Sequence, residues 1–321
     1  MKTSLTGIQP SGTVHIGNYL GAIVPAIEMA QQYERSLYFI ADEHALTSVD
    51  DPAKLRGWVY DLAAAWLACG LDPQRTIFYR QSAVPEVFEL AWILGCVTPK
   101  GLLDRAHAYK AALAEKKEVN VGIYIYPVLM AADIILFDTT SVPVGKDQKQ
   151  HVEYARDIAQ KFNRLYGEVL VAPEPVIREE VMIIPGIDGR KMSKSYGNVI
   201  PLFASADERR KLIMRIKTNS QPPEEPKDPE SSDIFQLYRL FATTAQTEEL
   251  RRRYAAGIGW AEAKTALADV MEERLAPLRE RYEALRADEA GLDRVLAQGA
   301  ERARTIARAT MARVRRAVGL A

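Results

Sequence analysis

The sequence predicts an α/β protein: a doubly wound parallel sheet through about residue 190, then an all-α C-terminal part. Three observations predict it. Short β-rich apolar runs alternate with helical patterns through residues 1–190. A turn rich in glycine and proline follows the first of those runs, where a parallel sheet carries its first ligand-facing loop. After Lys191 the strand pattern stops and the texture becomes helical.

In chain order, residues 4–8 (Ser-Leu-Thr-Gly-Ile) form the first strand, and a helix follows from about 17 to 33. Residues 37–41 (Leu-Tyr-Phe-Ile-Ala) form the second strand. Asp50-Asp51-Pro52 opens a helix with a capping carboxylate and a first-turn proline. Its Leu55, Val59, Leu62 and Trp66 recur at helical spacing. Residues 76–79 form a third strand, and 85–94 and 127–137 form helices that each start at a proline. A short strand at 141–144 and a helix at 147–162 complete the alternation. Beyond it, 206–217 is helical, and 221–229 carries four prolines and reads as a surface loop. Helices follow at about 233–243, 247–256, 260–287 and 299–318, and the change of texture sets a domain boundary near residue 190.

Bulk properties narrow the function classes. The 321 residues suffice for about two domains, and 48% hydrophobic with 26% charged residues is ordinary for a globular chain. Lys+Arg and Asp+Glu stand at 42 each, so a polyanion site must be a local patch rather than a bulk charge. Cys69 and Cys96 form no Cys-x-x-Cys pair, which argues against a zinc site or a disulfide framework and fits a reducing cytosol. The first residues lack a signal-peptide core, and no apolar run is long enough to span a membrane. No membrane partner is expected.

Two motifs carry the chemistry. Gly7, Gly12 and Gly17 bracket the first strand-to-helix turn, within Gly-Ile-Gln-Pro-Ser-Gly-Thr-Val-His-Ile-Gly-Asn at 7–18. Glycines let backbone approach a nucleotide, and the following helix aims its first amides at phosphate. His15 and Asn18 add donors. The alternative is that the glycines only shape a tight turn and His15 only caps it. The second motif is Lys-Met-Ser-Lys-Ser at 191–195, flanked by Gly186, Gly189 and Gly197. Two ammonium groups beside the Ser193 hydroxyl suit a pyrophosphate leaving group, and flexible flanks suit a closing loop. A lone Lys-x-x-Lys pair is usually a solvated loop; the full pentapeptide is far more specific.

Together these motifs resemble the two ATP-handling signatures of class I aminoacyl-tRNA synthetases, with Asn18 standing where the nominal form has histidine. The resemblance implies a Rossmann-like catalytic domain over 1–190, and a lysine-motif loop with a helical anticodon-binding domain over 191–287. It further implies a last helix, about 288–321, that packs back on the catalytic domain. More residues narrow it. Tyr126-Pro127 through Met130-Ala131-Ala132-Asp133, then Val142 to His151, Asp42-x-His44-Ala45 and Gly17-Asn18-Tyr19-Leu20-Gly21-Ala22 are similar to the tryptophanyl-tRNA synthetases. The likeness runs from Lys2 to about Asn198 and is fainter through the helical tail.

For that family the resemblance implies activation of tryptophan by ATP with Mg²⁺, transfer to tRNA(Trp), and a homodimer, with no metal held by protein side chains. Asp133 would accept the indole N–H, and Met130, Ile134, Val142 and Val144 would line the indole slot. Leu5 stands where the family often has an aromatic residue; Gly7 and His44 border the pocket. Tyr126 and Gln148 would hold the substrate ammonium. ATP would meet Gln9, Ser11, Gly12, His15, Gly17, Asn18, Asp147, Ile184, Lys191, Met192, Ser193 and Lys194. Of these Lys191, Lys194, Ser193, Gln9 and His15 would act on the reacting phosphates.

From its segment alone, Asp133 also fits a structural carboxylate in an apolar helix. A third phosphate-binding lysine is open: Lys110 fills that role, or Ala112 occupies the place and none does. The run Glu115-Lys116-Lys117-Glu118 reads as a solvated turn. Competing functions are a tyrosyl enzyme, disfavoured by Met130 and the complete lysine motif, an adenylyl-transferring relative, and an RNA-binding relic. Arg251-Arg252-Arg253 and the tail are basic, with six arginines against one glutamate over 301–321. The tail equally reads as an amphipathic packing helix, with Ile306, Met311, Val314 and Val318 on one stripe.

Overall fold

Five parallel strands stand among the described residues: β1 (Thr3–Ile8), β2 (Arg35–Ile40), β3 (Ile77–Arg80), β4 (Ser141–Val144) and β5 (Glu174–Ile177). Their order is β3-β2-β1-β4-β5. The computed structural model describes residues 1–114, 119–145, 148–177 and 183–321, without the side chains at 107, 108, 112 and 113. Asp147, the side chain of Ala112 and the charged run at 115–118 lie outside the described residues.

The chain builds outward from β1 to β3, then returns to the far side of β1 with β4. Beyond the carboxyl ends of β1 and β4 the connections diverge, which leaves the crevice where open α/β sheets bind ligands. Both faces are covered. In β2, Leu37 and Phe39 enter one core, while Tyr38 and Ile40 enter the other. Alternate side chains of a strand face opposite ways, so a doubly covered strand is apolar throughout.

β5 escaped the sequence reading. It is an edge strand with Pro175 inside it, and proline in a short run masks a strand. The helix expected from Pro127 runs instead over Val121–Ile135; Asn120 caps it, its Oδ1 accepting the Ile123 N–H at 2.9 Å. The proline sits inside the helix rather than at its start. The helix expected at about 17–33 is broken into Ile16–Asn18, a π-turn at Tyr19–Ile23, and Val24–Ala30. Pro25 has no N–H for the Gly21 carbonyl, and the wider turn, with Val24 N–H bonding Tyr19 O, lies just before it.

The last helix spans Glu289–Val318, starting ten residues before the 299 expected from the helical pattern and close to the 288 that the resemblance implies. Gly291 and Gly299 weaken the helical pattern there, but Gly299 has a packing reason. A Cβ on it would stand 1.7 Å from the Phe78 carbonyl oxygen, so the helix lies directly on the backbone of edge strand β3. Five of its arginines bond groups of the sheet domain. Arg304 and Arg308 bond Glu86, Arg315 bonds Glu89, Arg313 bonds Asp138, and Arg302 donates to the Pro73 carbonyl. The basic tail is a packing helix clamped to the sheet domain. Gly299→Ala is expected to destabilise the protein by about 2–3 kcal/mol, the cost of overpacking against backbone that has no rotamer to yield. Urea unfolding measures it, and an unchanged midpoint would mean the helix slides freely over β3.

Helices after residue 200 share a core with the sheet. The helix Trp260–Ala287 packs on Pro52–Ala68, and Leu267, Met271 and Leu275 join Val59, Trp66 and Phe78 in one cluster. The change of texture near residue 190 is therefore a change of secondary structure within a continuous core. Arg251, Arg252 and Arg253 pair with Glu230, Glu249 and Glu262.

Candidate active site

β1 ends at Ile8, and the chain turns through Gly12, whose φ of +101° only glycine adopts readily. It re-enters helix at Ile16 with His15 as the cap. Asn18 N–H donates to His15 Nδ1 at 3.3 Å, and His15 N–H donates to Asn18 Oδ1 at 3.1 Å. This reciprocal cap explains asparagine at 18: its oxygen satisfies the His15 backbone amide. His15 is thus a cap, but a buried one at 6% exposure. Burial, then the neighbouring Lys194 charge, push its pKa down to about 4. The ring is neutral at physiological pH, and with Nδ1 accepting, Nε2 carries the hydrogen and is a donor.

The lysine-motif loop folds over this turn. Lys194 Nζ donates to the Ser11 carbonyl at 3.0 Å, and Gly17 N–H points at the Met192 sulfur at 3.3 Å. Burial lowers the Lys194 pKa. The loop is shaped by Asn198, a residue at the motif's end given no role above. Its Oδ1 accepts the Ser193 N–H at 2.8 Å, and its Nδ2 donates to Asp188 Oδ1 at 2.7 Å and to the Lys191 carbonyl at 3.1 Å. That bond from Asn198, with Arg190, holds Asp188 at about 2. Gly186 is required here, since a Cβ would meet Asn198 Nδ2 at 2.4 Å. Ser193 Oγ lies 2.9 Å from Ser195 Oγ. Lys191 is exposed. Ile184 and Met192, expected to meet ATP, are only 3% and 4% exposed.

A cavity of about 820 Å³ opens beside β1 and β4. Every residue assigned above to the amino-acid pocket lines it: Leu5, Gly7, His44, Tyr126, Met130, Asp133, Ile134, Val142, Val144 and Gln148, with Gln9 at the rim. The helix Val121–Ile135 presents Tyr126, Met130 and Asp133 to it, at the four- and three-residue spacing of one helical face. Gly7 is needed because a Cβ there would meet the Phe39 ring at 2.4 Å. The Tyr126 hydroxyl lies 3.0 Å from His151 Nε2, and burial raises its pKa to about 12. Gln9 Nε2 lies 3.5 Å from the His44 carbonyl. Lys110 is exposed, and among its near neighbours Ala111 lines the cavity.

Asp133 is 1% exposed and its pKa is raised by burial. It is not alone. His44 Nε2 lies 2.9 Å from its Oδ2, and Gln81 Nε2 donates to both oxygens at 3.0 and 2.8 Å. Gln81 was not singled out from sequence. It lies 52 residues from Asp133 with no local pattern between them. The one signal was its place at the carboxyl end of a strand. Thr6, Phe39, Thr47 and Ile123 also line the cavity and were not foreseen. Chemically, the arrangement offers an apolar slot with one hydrogen-bonded carboxylate, continuing toward a glycine turn under a lysine.

A model of the family described as tRNA synthetases class I (W and Y) matches residues 2–276. A tryptophan–tRNA ligase of Xanthomonas campestris is 50% identical across 98% of this chain and 76% of its own. The corresponding ligase of Pseudomonas aeruginosa is 51% identical across 98% of this chain and 73% of its own. Among solved structures, a tryptophanyl-tRNA synthetase from Campylobacter jejuni, complexed with ADP and tryptophan, superposes with a TM-score of 0.95. It is 45% identical and covers 99% of this chain and 100% of its own.

Proposed function

The chain belongs to the class I tRNA synthetases of tryptophan and tyrosine, and from that premise we infer its reaction and the parts its residues play. It is an ATP-dependent ligase that activates L-tryptophan to tryptophanyl-adenylate and joins the amino acid to tRNA. The observation that carries the amino-acid choice is Asp133. It is the carboxylate of an otherwise apolar slot, and indole offers one hydrogen to donate.

The carboxylate of bound tryptophan attacks the α-phosphorus of ATP, and pyrophosphate leaves. The nucleophile is already an anion, so the step needs no general base. Charge grows on phosphoryl oxygens, and preorganised donors and cations lower the barrier. We assign that task to His15 Nε2–H, Ser193, Lys191, Lys194, Gln9 and the main-chain amide at Gly12. Mg²⁺ enters on the ATP phosphates as part of the substrate. Tyr126 and Gln148 hold the ammonium. A hydroxyl of the terminal adenosine of tRNA(Trp) then takes the aminoacyl group, while helices between about 200 and 285 read the anticodon. Single-stranded bases are read by stacking and edge hydrogen bonds.

The working form we propose is a homodimer in the cytoplasm. An apolar groove is lined by exposed Leu46, Phe88, Trp92 and Ile125, with Trp92 at 76% exposure. Patches of that kind mark interaction sites.

Met130 and the apolar lining favour tryptophan over tyrosine, since a phenol needs polar partners at its hydroxyl. Amino-acid-dependent ATP–pyrophosphate exchange tests the reading. Exchange is expected with tryptophan, and exchange with tyrosine but not tryptophan would overturn it.

A further inference from the structure

Gln81 stands behind the cavity wall, 0% exposed, on the 3-10 turn Gln81–Ala83 that follows β3. Its amide is oriented without ambiguity. Oε1 accepts the His44 N–H at 3.2 Å, while Nε2 donates to Asp133 Oδ1 at 3.0 Å and Oδ2 at 2.8 Å. The reversed amide would set oxygen against a carboxylate and nitrogen against an N–H. The turn is itself clamped. Ser82 N–H donates to Asp42 Oδ1 at 3.0 Å, and Ser82 Oγ donates to Asp42 Oδ2 at 2.5 Å. Asp42 and His44 sit on one short helix, Asp42–Ala45. That helix grips the turn through Asp42 and meets Asp133 through His44 Nε2 at 2.9 Å.

The Asp133 carboxylate is therefore held on two sides, by His44 and by Gln81. Burial disfavours its charge, and hydrogen bonds from those two neighbours oppose that. Without Gln81, the carboxylate would be held by His44 alone and would have one donor fewer to hold its charge in an apolar wall.

We propose that Gln81 is a positioning residue for amino-acid selection: it fixes the Asp133 carboxylate so that one acceptor direction faces the cavity and the ring N–H of the substrate. The proposal rests on the reading of Asp133 as the acceptor of that N–H. Gln81 touches no substrate, and its effect passes through Asp133. A buried amide that only filled space would be replaceable by methionine of similar length with a loss of stability alone.

The test compares the full-length wild type with Q81M, D133A, D133N and the double variant Q81M/D133A. Each is assayed by pyrophosphate exchange with tryptophan and with its benzothiophene analogue, which has sulfur in place of the ring N–H. Thermal midpoints are recorded alongside. In Q81M the KM for tryptophan should rise about tenfold with kcat nearly unchanged, and the preference for tryptophan over the analogue should fall about tenfold. In the D133A background the same Gln81 change should move that preference less than twofold, because the group it positions is gone. Should Q81M not fold, Gln81→Asn gives the same readout, since its shorter stem withdraws the amide from Asp133. A reduced preference supports the proposal. An unmoved preference in Q81M or Q81N, with D133A impaired, overturns it and leaves the role of Asp133 intact. An unmoved preference in D133A overturns the reading of Asp133 itself.

Discussion

Lys194→Ala is expected to slow adenylate formation by about 10²–10³-fold while tryptophan affinity stays close to that of the wild type. The reason is where the ammonium stands. Nζ donates to the Ser11 carbonyl at 3.0 Å, over the glycine turn and away from the slot that would take the indole. In the proposed reaction it would meet phosphate charge that grows as the adenylate forms, and contacts made only in the transition state change kcat rather than binding. The same contact to Ser11 also latches the loop to the turn, so the variant loses loop closure together with charge. Single-turnover adenylate formation and equilibrium tryptophan binding separate the two quantities. A normal single-turnover rate would make the loop a structural latch.

Asp133→Ala is expected to lower kcat/KM for tryptophan by one to two decades and to relax discrimination against analogues without the ring N–H. A hydrogen bond to a charged group contributes about 1.5–3 kcal/mol, which corresponds to that range. The truncation has a second effect. It strands the Gln81 amide and the His44 ring, both of which bond the carboxylate. Unfolding stability should fall as well, by about 1–3 kcal/mol for a buried donor left without a partner. Asp133→Asn keeps one acceptor and should lose less of both. If stability falls while the analogue preference stays put, the carboxylate supports the wall and does not read the ring.

Much of the fold was legible because its signals are local. Alternation of apolar runs with helical spacing marks β1, β2, β3 and β4, and the cap at Asp51 marks Pro52–Ala68. The signals failed where a residue's reason is remote. Gly299 weakens a helical pattern because the partner that requires it is the backbone of Phe78. Pro127 reads as a helix start, yet the capping residue is Asn120. Pro175 hides β5, whose place at the sheet edge tolerates it.

The site divides in the same way. By itself the sequence picked out the glycine turn and the lysine loop that the structure folds together, since each is a short run in which the glycines, lysines and capping partners are neighbours. It also determined which residues of Val121–Ile135 share a face, because helical periodicity puts Tyr126, Met130 and Asp133 on one side. Tertiary structure alone decided what surrounds Asp133. His44 follows β2, while Gln81 and Asp133 lie near opposite ends of the connection from β3 to β4, and their meeting at 2.8–3.0 Å depends on strand order and crossover geometry. It also decided that tail arginines pair with Glu86, Glu89 and Asp138 of the sheet domain. Hydrogen bonds and ion pairs between residues far apart in the chain leave no period in the sequence; only the packing of elements brings them within reach.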